Sequence, residues 1–324
     1  MKIGKFLLGL LFVVLVVEII VIAPKDVDQP PPEDSEETVA ADSDSGVEQL
    51  MRGAHLVETR EGEKEWELWA DTATSYKEKA QWSLQTVKTR FFGKDGVHFT
   101  VTGERGTVQV QTKDMTVKGN VRIRSSNGYI FKTEEVMYHS GERRLMAPLP
   151  VTMWGIKDEA GHSLHLRGQS LEADLNNALM TVSRDVRGEK PFKNEKRLLI
   201  RSQRADFSGK SNLARFSGEV VMDFDSMRIT GPEAVFEYGP DANLVRSVHV
   251  SGGVRVSDLD KWATSQKVSV NFDKDKYVFR GNPKVVQNND ELQGEEIVFL
   301  DGGKRVEVLK ARAKVDKSRM EKVN

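Results

Sequence analysis

From Val47 onward, apolar and polar residues alternate with a period of two. Thr116-Val117-Lys118-Gly119-Asn120-Val121-Arg122-Ile123-Arg124 is one such run, and Leu164-His165-Leu166-Arg167 and Lys267-Val268-Ser269-Val270-Asn271-Phe272 are others. Successive side chains of a strand point to opposite faces, so these runs predict strands with one buried face. Hairpin signals separate them: Lys94-Asp95-Gly96, Ser126-Asn127-Gly128, Asn176-Asn177, Gly239-Pro240-Asp241, Asp273 to Lys276, Asn288-Asn289-Asp290 and Asp301-Gly302-Gly303. Asn and Gly tolerate the positive φ that tight turns need. No amphipathic helical stretch in this body exceeds two turns, and the expectation is an all-β fold.

Two elements recur within the pattern. One is a turn-strand unit: Gly119-Asn120-Val121, Gly218-Glu219-Val220, Gly252-Gly253-Val254 and Gly281-Asn282-Pro283, with spacings of 34 and then 29 residues from the second copy on. The other is a strand before each turn, as in Glu134 to Tyr138, Leu171 to Leu175, Arg204 to Phe207, Glu233 to Tyr238 and Glu295 to Phe299. Such periods indicate stacked units, each burying its apolar face on the next. Hairpins in this order predict two facing sheets with an apolar space between them and open edges at both ends.

The start of the chain breaks the pattern. Phe6 to Ala23 is apolar except for Glu18, and its 18 residues span about 27 Å as a helix, enough to cross the hydrocarbon core. Lys2 and Lys5 precede it, which places the N-terminus in the cytoplasm and the β body outside. A cleaved signal peptide ending at Val21-Ile22-Ala23 is the competing reading; the length favours a retained transmembrane anchor over 1–23. Glu18 is read as a carboxylate reaching the interface, with a polar contact to a partner helix inside the membrane as the competing reading. Residues 24–48 carry Pro30-Pro31-Pro32 and nine acidic residues against Lys25, and are expected to be a disordered linker.

Charge changes the picture only once it is divided. The formal net charge is -1, but the linker is strongly acidic, which leaves the body from Gln49 on at +6. A basic body suits an anionic partner, although Lys and Arg are also ordinary outer-face residues of strands. There is no cysteine, which excludes disulfides, thiolate metal sites and a catalytic Cys. His162 and His165 are three apart in a strand-like stretch, hence on opposite faces, and the other histidines are scattered. No phosphate-binding Gly-rich loop is present. No enzyme, metal or cofactor is expected.

Candidate chemistry therefore rests on the apolar space. The residues expected to line it are Val121, Ile123, Phe131, Val136, Tyr138 and Met153, followed by Leu164, Leu166, Phe207, Phe236, Val254, Val270 and Phe272. The competing reading is that these side chains only pack on each other. A 12-carbon chain gains roughly 10 kcal/mol on leaving water for such a space, but a bilayer offers the same, so the groove supplies no drive of its own. The last strand is expected to run unbroken from Arg305 to Val315, with Val306, Val308, Ala311 and Ala313 on a docking edge.

At this point the residues resemble the lipopolysaccharide-export bridge families LptC and LptA (OstA-like). The resemblance lies in Ala70 to Tyr76, then Val117-Lys118-Gly119-Asn120-Val121, then Lys132 to Tyr138, then Arg144 to Met153 with its Pro148-Leu149-Pro150-Val151. It implies an elongated antiparallel β-jellyroll preceded by one N-terminal transmembrane helix. The domains would be the 1–23 anchor, the 24–48 linker, an LptC-like jellyroll over 49–155, LptA-like repeats over 156–316 and a charged tail over 317–324. It further implies an inner-membrane, single-pass protein with its β body in the periplasm, holding lipopolysaccharide acyl chains. The implied partners are lipopolysaccharide, the inner-membrane ABC transporter that would supply the energy, and an LptA-like bridge protein or outer-membrane translocon. No nucleic acid is implied. Typical LptC chains stop near the Pro-Val strand, whereas this one continues. The rival class is a membrane-anchored structural or adhesive β-scaffold without a lipid ligand.

Overall fold

The computed structural model describes residues 47–314 apart from 77–78, Asp95, Glu159, 193–195, Lys210, 240–244, 272–273 and 301–304. The expected anchor, the linker up to its last two residues, the charged tail and Phe272 lie outside the described residues. Every element described is a strand, and all 22 belong to one antiparallel sheet within the unit Gly46–Asn324. Among the described residues no helix is long and apolar enough to cross a membrane.

Pairing follows chain order. β1 (Val47–Arg60), β2 (Glu63–Tyr76), β3 (Lys79–Phe92), β4 (His98–Gln109), β5 (Met115–Ser125) and β6 (Ile130–His139) pair successively. β6 then pairs with two short strands, β7 (Arg144–Ala147) and β8 (Val151–Trp154). These pair in turn with β10 (Ser170–Asp174) and β9 (His165–Gly168), and both of those pair with β11 (Leu179–Pro191). Five long strands continue the order: β12 (Arg197–Ser208), β13 (Leu213–Phe224), β14 (Met227–Tyr238), β15 (Val245–Asp258) and β16 (Lys261–Asn271). From there one branch is β17 (Lys276–Arg280), β20 (Glu296–Leu300) and β21 (Arg305–Leu309). The other is β18 (Lys284–Gln287), β19 (Asp290–Gln293) and β22 (Arg312–Lys314).

The recurring Gly units do not sit where the sequence pattern puts them. They are expected as turns, but Gly119-Asn120 lies in the middle of β5, Gly218-Glu219 in the middle of β13 and Gly252-Gly253 in the middle of β15. The ladder shifts register there, between Lys118 and Val121, Ser217 and Val220, and Ser251 and Val254, and pairing resumes beyond. Two successive residues with positive φ set two residues against fewer partners, so the strand bends without reversing. The signals for a bulge and for a tight turn are the same residue types; what separates them is whether pairing continues on both sides.

These bulges align into one crease that folds the sheet into two walls. It passes through Gly53 and Thr86, which precede Gly119 at intervals of 33 residues, and later through Arg184-Asp185, Gly281-Asn282 and Lys310, all with positive φ. Pro148-Leu149-Pro150 falls on it as the break between β7 and β8. Each long strand thus gives one segment to each wall. The first wall holds the segments around Met115, Tyr138 and Phe207; the second holds those around Ile123, Phe131 and Met153. The crease also corrects the expected C-terminal strand. Arg305 to Lys314 is two strands, β21 and β22, one per wall, broken at Lys310 and Ala311.

Candidate functional site

The inward faces of the walls form the core, with alternate residues of every long strand buried. Ile123, Phe131, Met153 and Leu166 stand opposite one another as consecutive rungs of one cross-strand row in the second wall. Tyr138, Phe207, Phe236 and Val270 fall in a single row of the first wall. Val121, Val136 and Val254 are buried beside the crease, and Leu164 is partly buried against the core. So the twelve described residues expected to line the interior do face it. Most are in contact with other side chains rather than with open space.

Toward β1 the two walls are stitched together. Glu65 should point outward by alternation, but a register shift between Glu58 and Thr59 of β1 turns it inward, and its side chain is 1% exposed. The Tyr138 hydroxyl donates to its Oε1 at 2.6 Å and the Ser140 hydroxyl to the same oxygen at 3.1 Å, while Arg60 Nε lies 3.1 Å from Oε2. Glu65 belongs to the second wall and Tyr138 to the first, so these bonds cross the interior. Phe91 packs on Tyr138 at 4.5 Å between ring centroids, and the Thr89 hydroxyl reaches the Met115 sulfur at 3.3 Å, also from wall to wall. Burial, and then the Glu65 carboxylate, push the Tyr138 hydroxyl far above its ordinary range, so it stays a donor.

Toward the C-terminus the walls stand apart. A cavity of about 240 Å³ lies between them, with Phe224, Met227, Val256, Ala263 and Val285 on the second wall and Tyr277, Phe279 and Phe299 on the first. Its mouth carries charge: Lys196 with Asp225 at 3.2 Å, Lys261 with Asp258 at 3.5 Å, and Ser226 donating to Asp258 at 2.6 Å. The Tyr277 hydroxyl is pushed up to about 12 by burial and then by Asp275. A smaller cavity of about 40 Å³ farther back includes Leu164 and Phe236 with Tyr129 and Tyr238. Between them, the expected lining residues touch only this smaller space. The larger cavity is lined by residues the sequence reading did not single out, although Tyr277, Phe279 and Phe299 carried a signal as aromatics at period two.

Among the described residues both ends of the sheet are open. Among the described residues β1 pairs only with β2, β21 only with β20 and β22 only with β19. Of the expected docking residues, Val306 and Val308 stand opposite Phe299 and Ile297, and Ala313 opposite Leu292, so they continue the inward rows. Val306 is nonetheless 43% exposed, because no further strand covers it. Ala311 lies at the break between the two strands. Among the described residues no group of three or more His, Asp or Glu side chains could hold a metal ion.

A folded sheet with an apolar interior and two unpaired ends defines a jellyroll-like β-bridge. The comparisons make that specific. The profile of the lipopolysaccharide-assembly, LptC-related family matches residues 9–190, more than half of the chain, and the chain belongs to that family. The profile of the LptA/(LptD N-terminal domain) LPS transport protein matches residues 199–302. It is therefore an LptC-type component of the lipopolysaccharide transport bridge, continued by LptA-type repeats. No curated protein matches the sequence. Among solved structures, it is similar to LptH, the LptA homologous periplasmic component of the conserved lipopolysaccharide transport device from Pseudomonas aeruginosa. That similarity is 15% identity, covering 37% of this chain and 94% of that one, with a TM-score of 0.34.

Proposed function

We propose that this chain holds the acyl chains of lipopolysaccharide between its walls and passes the lipid along the sheet. The observation that carries this is the cavity of about 240 Å³ with an aliphatic and aromatic lining and a charged mouth. An acyl chain loses water inside at about 0.8 kcal/mol per methylene, while a polar head remains at the rim. Since a bilayer offers the same gain, the energy comes from a partner, the inner-membrane ABC transporter. Residues 1–23 anchor the chain in the inner membrane and 24–48 space the body into the periplasm. The β1 edge receives lipid from the transporter, and β21 and β22 meet an LptA-like module or the outer-membrane translocon, since unpaired strands accept another strand. The LptC-like jellyroll passes into LptA-like repeats at 155/156, between β8 and β9.

The test is photo-crosslinking in living cells. A crosslinker at Phe279, Val256 or Val285 should capture lipopolysaccharide, while one at Ser269, on the outer face, should not. Capture at Ser269 with none at the three interior positions would overturn the reading and leave a scaffold without a lipid ligand.

A further inference from the structure

Charge of both signs is mixed over much of the outer surface of the β body, but not over all of it. One cross-strand row on the outside of the second wall, beside the crease, runs from Lys88 on β3 to Arg312 on β22. Nine of its fifteen positions are Lys or Arg and none is Asp or Glu, so the row has a sign. The row beside the crease on the first wall holds Arg105, Lys118, Arg204, Lys267 and Arg280 but mixes them with Glu135, Glu233 and Glu296, and Lys118 pairs with Glu135 at 3.1 Å. The charge is densest at Arg122, Lys132, Arg167, Arg187 and Arg201, where Arg122 faces Lys132 directly and Arg167, Arg187 and Arg201 follow one another. Like charges directly opposite on a sheet are destabilising, so folding alone does not favour this arrangement.

Three further observations point to a ligand. Among the described residues Arg122, Lys132 and Arg167 make no salt bridge. An open hollow of about 320 Å³ lies at this point of the row, walled by Arg122, Lys132, Thr133, Glu134 and Pro150. Tryptophans flank the row. Trp154 lies under Lys132 at 5.3 Å and Trp262 under Arg255 at 4.8 Å, each half-buried with part of its ring outward.

We infer that this row is a second binding site, for an anionic oligosaccharide whose phosphates lie along the cations and whose sugar rings rest on the tryptophans. A sheet twists by roughly 20–25° per strand, so the five steps from Arg122 to Arg201 turn the row by on the order of 100°. A flat bilayer meets only a few such cations at once, whereas a flexible chain follows them all. The cations are on the opposite face of the wall from the lipid-holding interior, although Trp262 also borders the cavity there.

The experiment titrates the full-length protein in detergent with a deacylated, phosphorylated oligosaccharide and, separately, with its dephosphorylated form. The phosphorylated probe should bind, and more weakly as salt rises. Arg122→Gln/Lys132→Gln/Arg167→Gln should weaken binding about tenfold and flatten the salt dependence, because three phosphate contacts are lost. Arg105→Gln/Lys118→Gln/Lys267→Gln, which removes equal charge from the first wall, should stay within about twofold, and Arg122→Lys/Arg167→Lys should retain binding. Equal weakening by both triple variants, equal binding of the dephosphorylated probe, or binding to phosphatidylglycerol vesicles but not to the oligosaccharide would each overturn the inference. Since the probe has no acyl chain, none of these results bears on the interior.

Discussion

The two ends of the β body use the same crease but fill the space between the walls differently. Near β2 and β6 the walls are joined by Glu65, Tyr138, Ser140 and Arg60, with Phe91 and Met115 packed beneath. Near β16 and β17 they part around an aromatic-lined hollow. Geometry sets the repeat, then, and the residues at the strand ends decide whether a repeat closes or stays hollow. A carboxylate turned inward by a bulge draws two strands together, whereas Ala263 and Val285 are too small to reach across.

The largest way to break the comparison is at the stitch. Glu65→Ala should lower unfolding stability by about 3 kcal/mol, since it leaves Tyr138 and Ser140 buried without their acceptor. Urea denaturation measures it, and a loss under about 0.5 kcal/mol would mean the bonds do not hold the walls. The crease comes next. A Cβ on Gly252 would meet the Pro232 ring at 2.5 Å at φ +92, while one on Gly253, at φ +95, meets nothing within 4 Å. Gly252→Ala should therefore cost about 2–3 kcal/mol and Gly253→Ala about 1 kcal/mol, with equal losses telling against the clash.

Filling the hollow sharpens the contrast with less disturbance. Val285→Phe should reduce affinity for a fluorescent fatty-acyl probe about tenfold while shifting stability by less than about 1.5 kcal/mol. Unchanged probe binding would place the acyl chain elsewhere. The smallest effect lies between the two regions, where Lys190 donates to Asp158 at 2.7 Å with both side chains largely buried. Although burial opposes it, the Lys190 bond holds the Asp158 carboxyl below its ordinary value of 3.8. A lowered carboxyl adds stability above that ordinary value and loses it as pH falls through the folded-state value. Asp158→Asn should thus cost about 1 kcal/mol at neutral pH, and the gap to wild type should close as pH falls through the folded-state value of the Asp158 carboxyl. A gap independent of pH would assign the loss to packing.

The strands, their inward faces and most hairpins were legible in the sequence because alternation and turn residues are local properties. Ile123, Phe131, Met153 and Leu166 even fall in one row. The crease was half legible. Where it uses Gly it repeats visibly, but Thr86, Arg184-Asp185 and Lys310 occupy the same conformation with side chains that give no sign of it. Glu65 was hidden for a related reason, since it is itself the extra residue of a bulge in β2, opposite Glu58 and Thr59, and so breaks the inside-outside alternation of its own strand. An apolar space was legible but not where it opens: that depends on which segments of the two walls end up opposite, which sequence spacing does not encode.

Because pairing follows chain order along the crease, each repeat of 29 to 34 residues adds two neighbouring strands to the stack. At about 4.8 Å between strands, that is roughly 10 Å of reach per repeat. The polypeptide is in this sense a ruler, and the width of the gap it can cross is written in its number of repeats. Duplicating or deleting a unit between two crease positions would move one edge relative to the other in steps of that size, leaving the edges themselves unchanged.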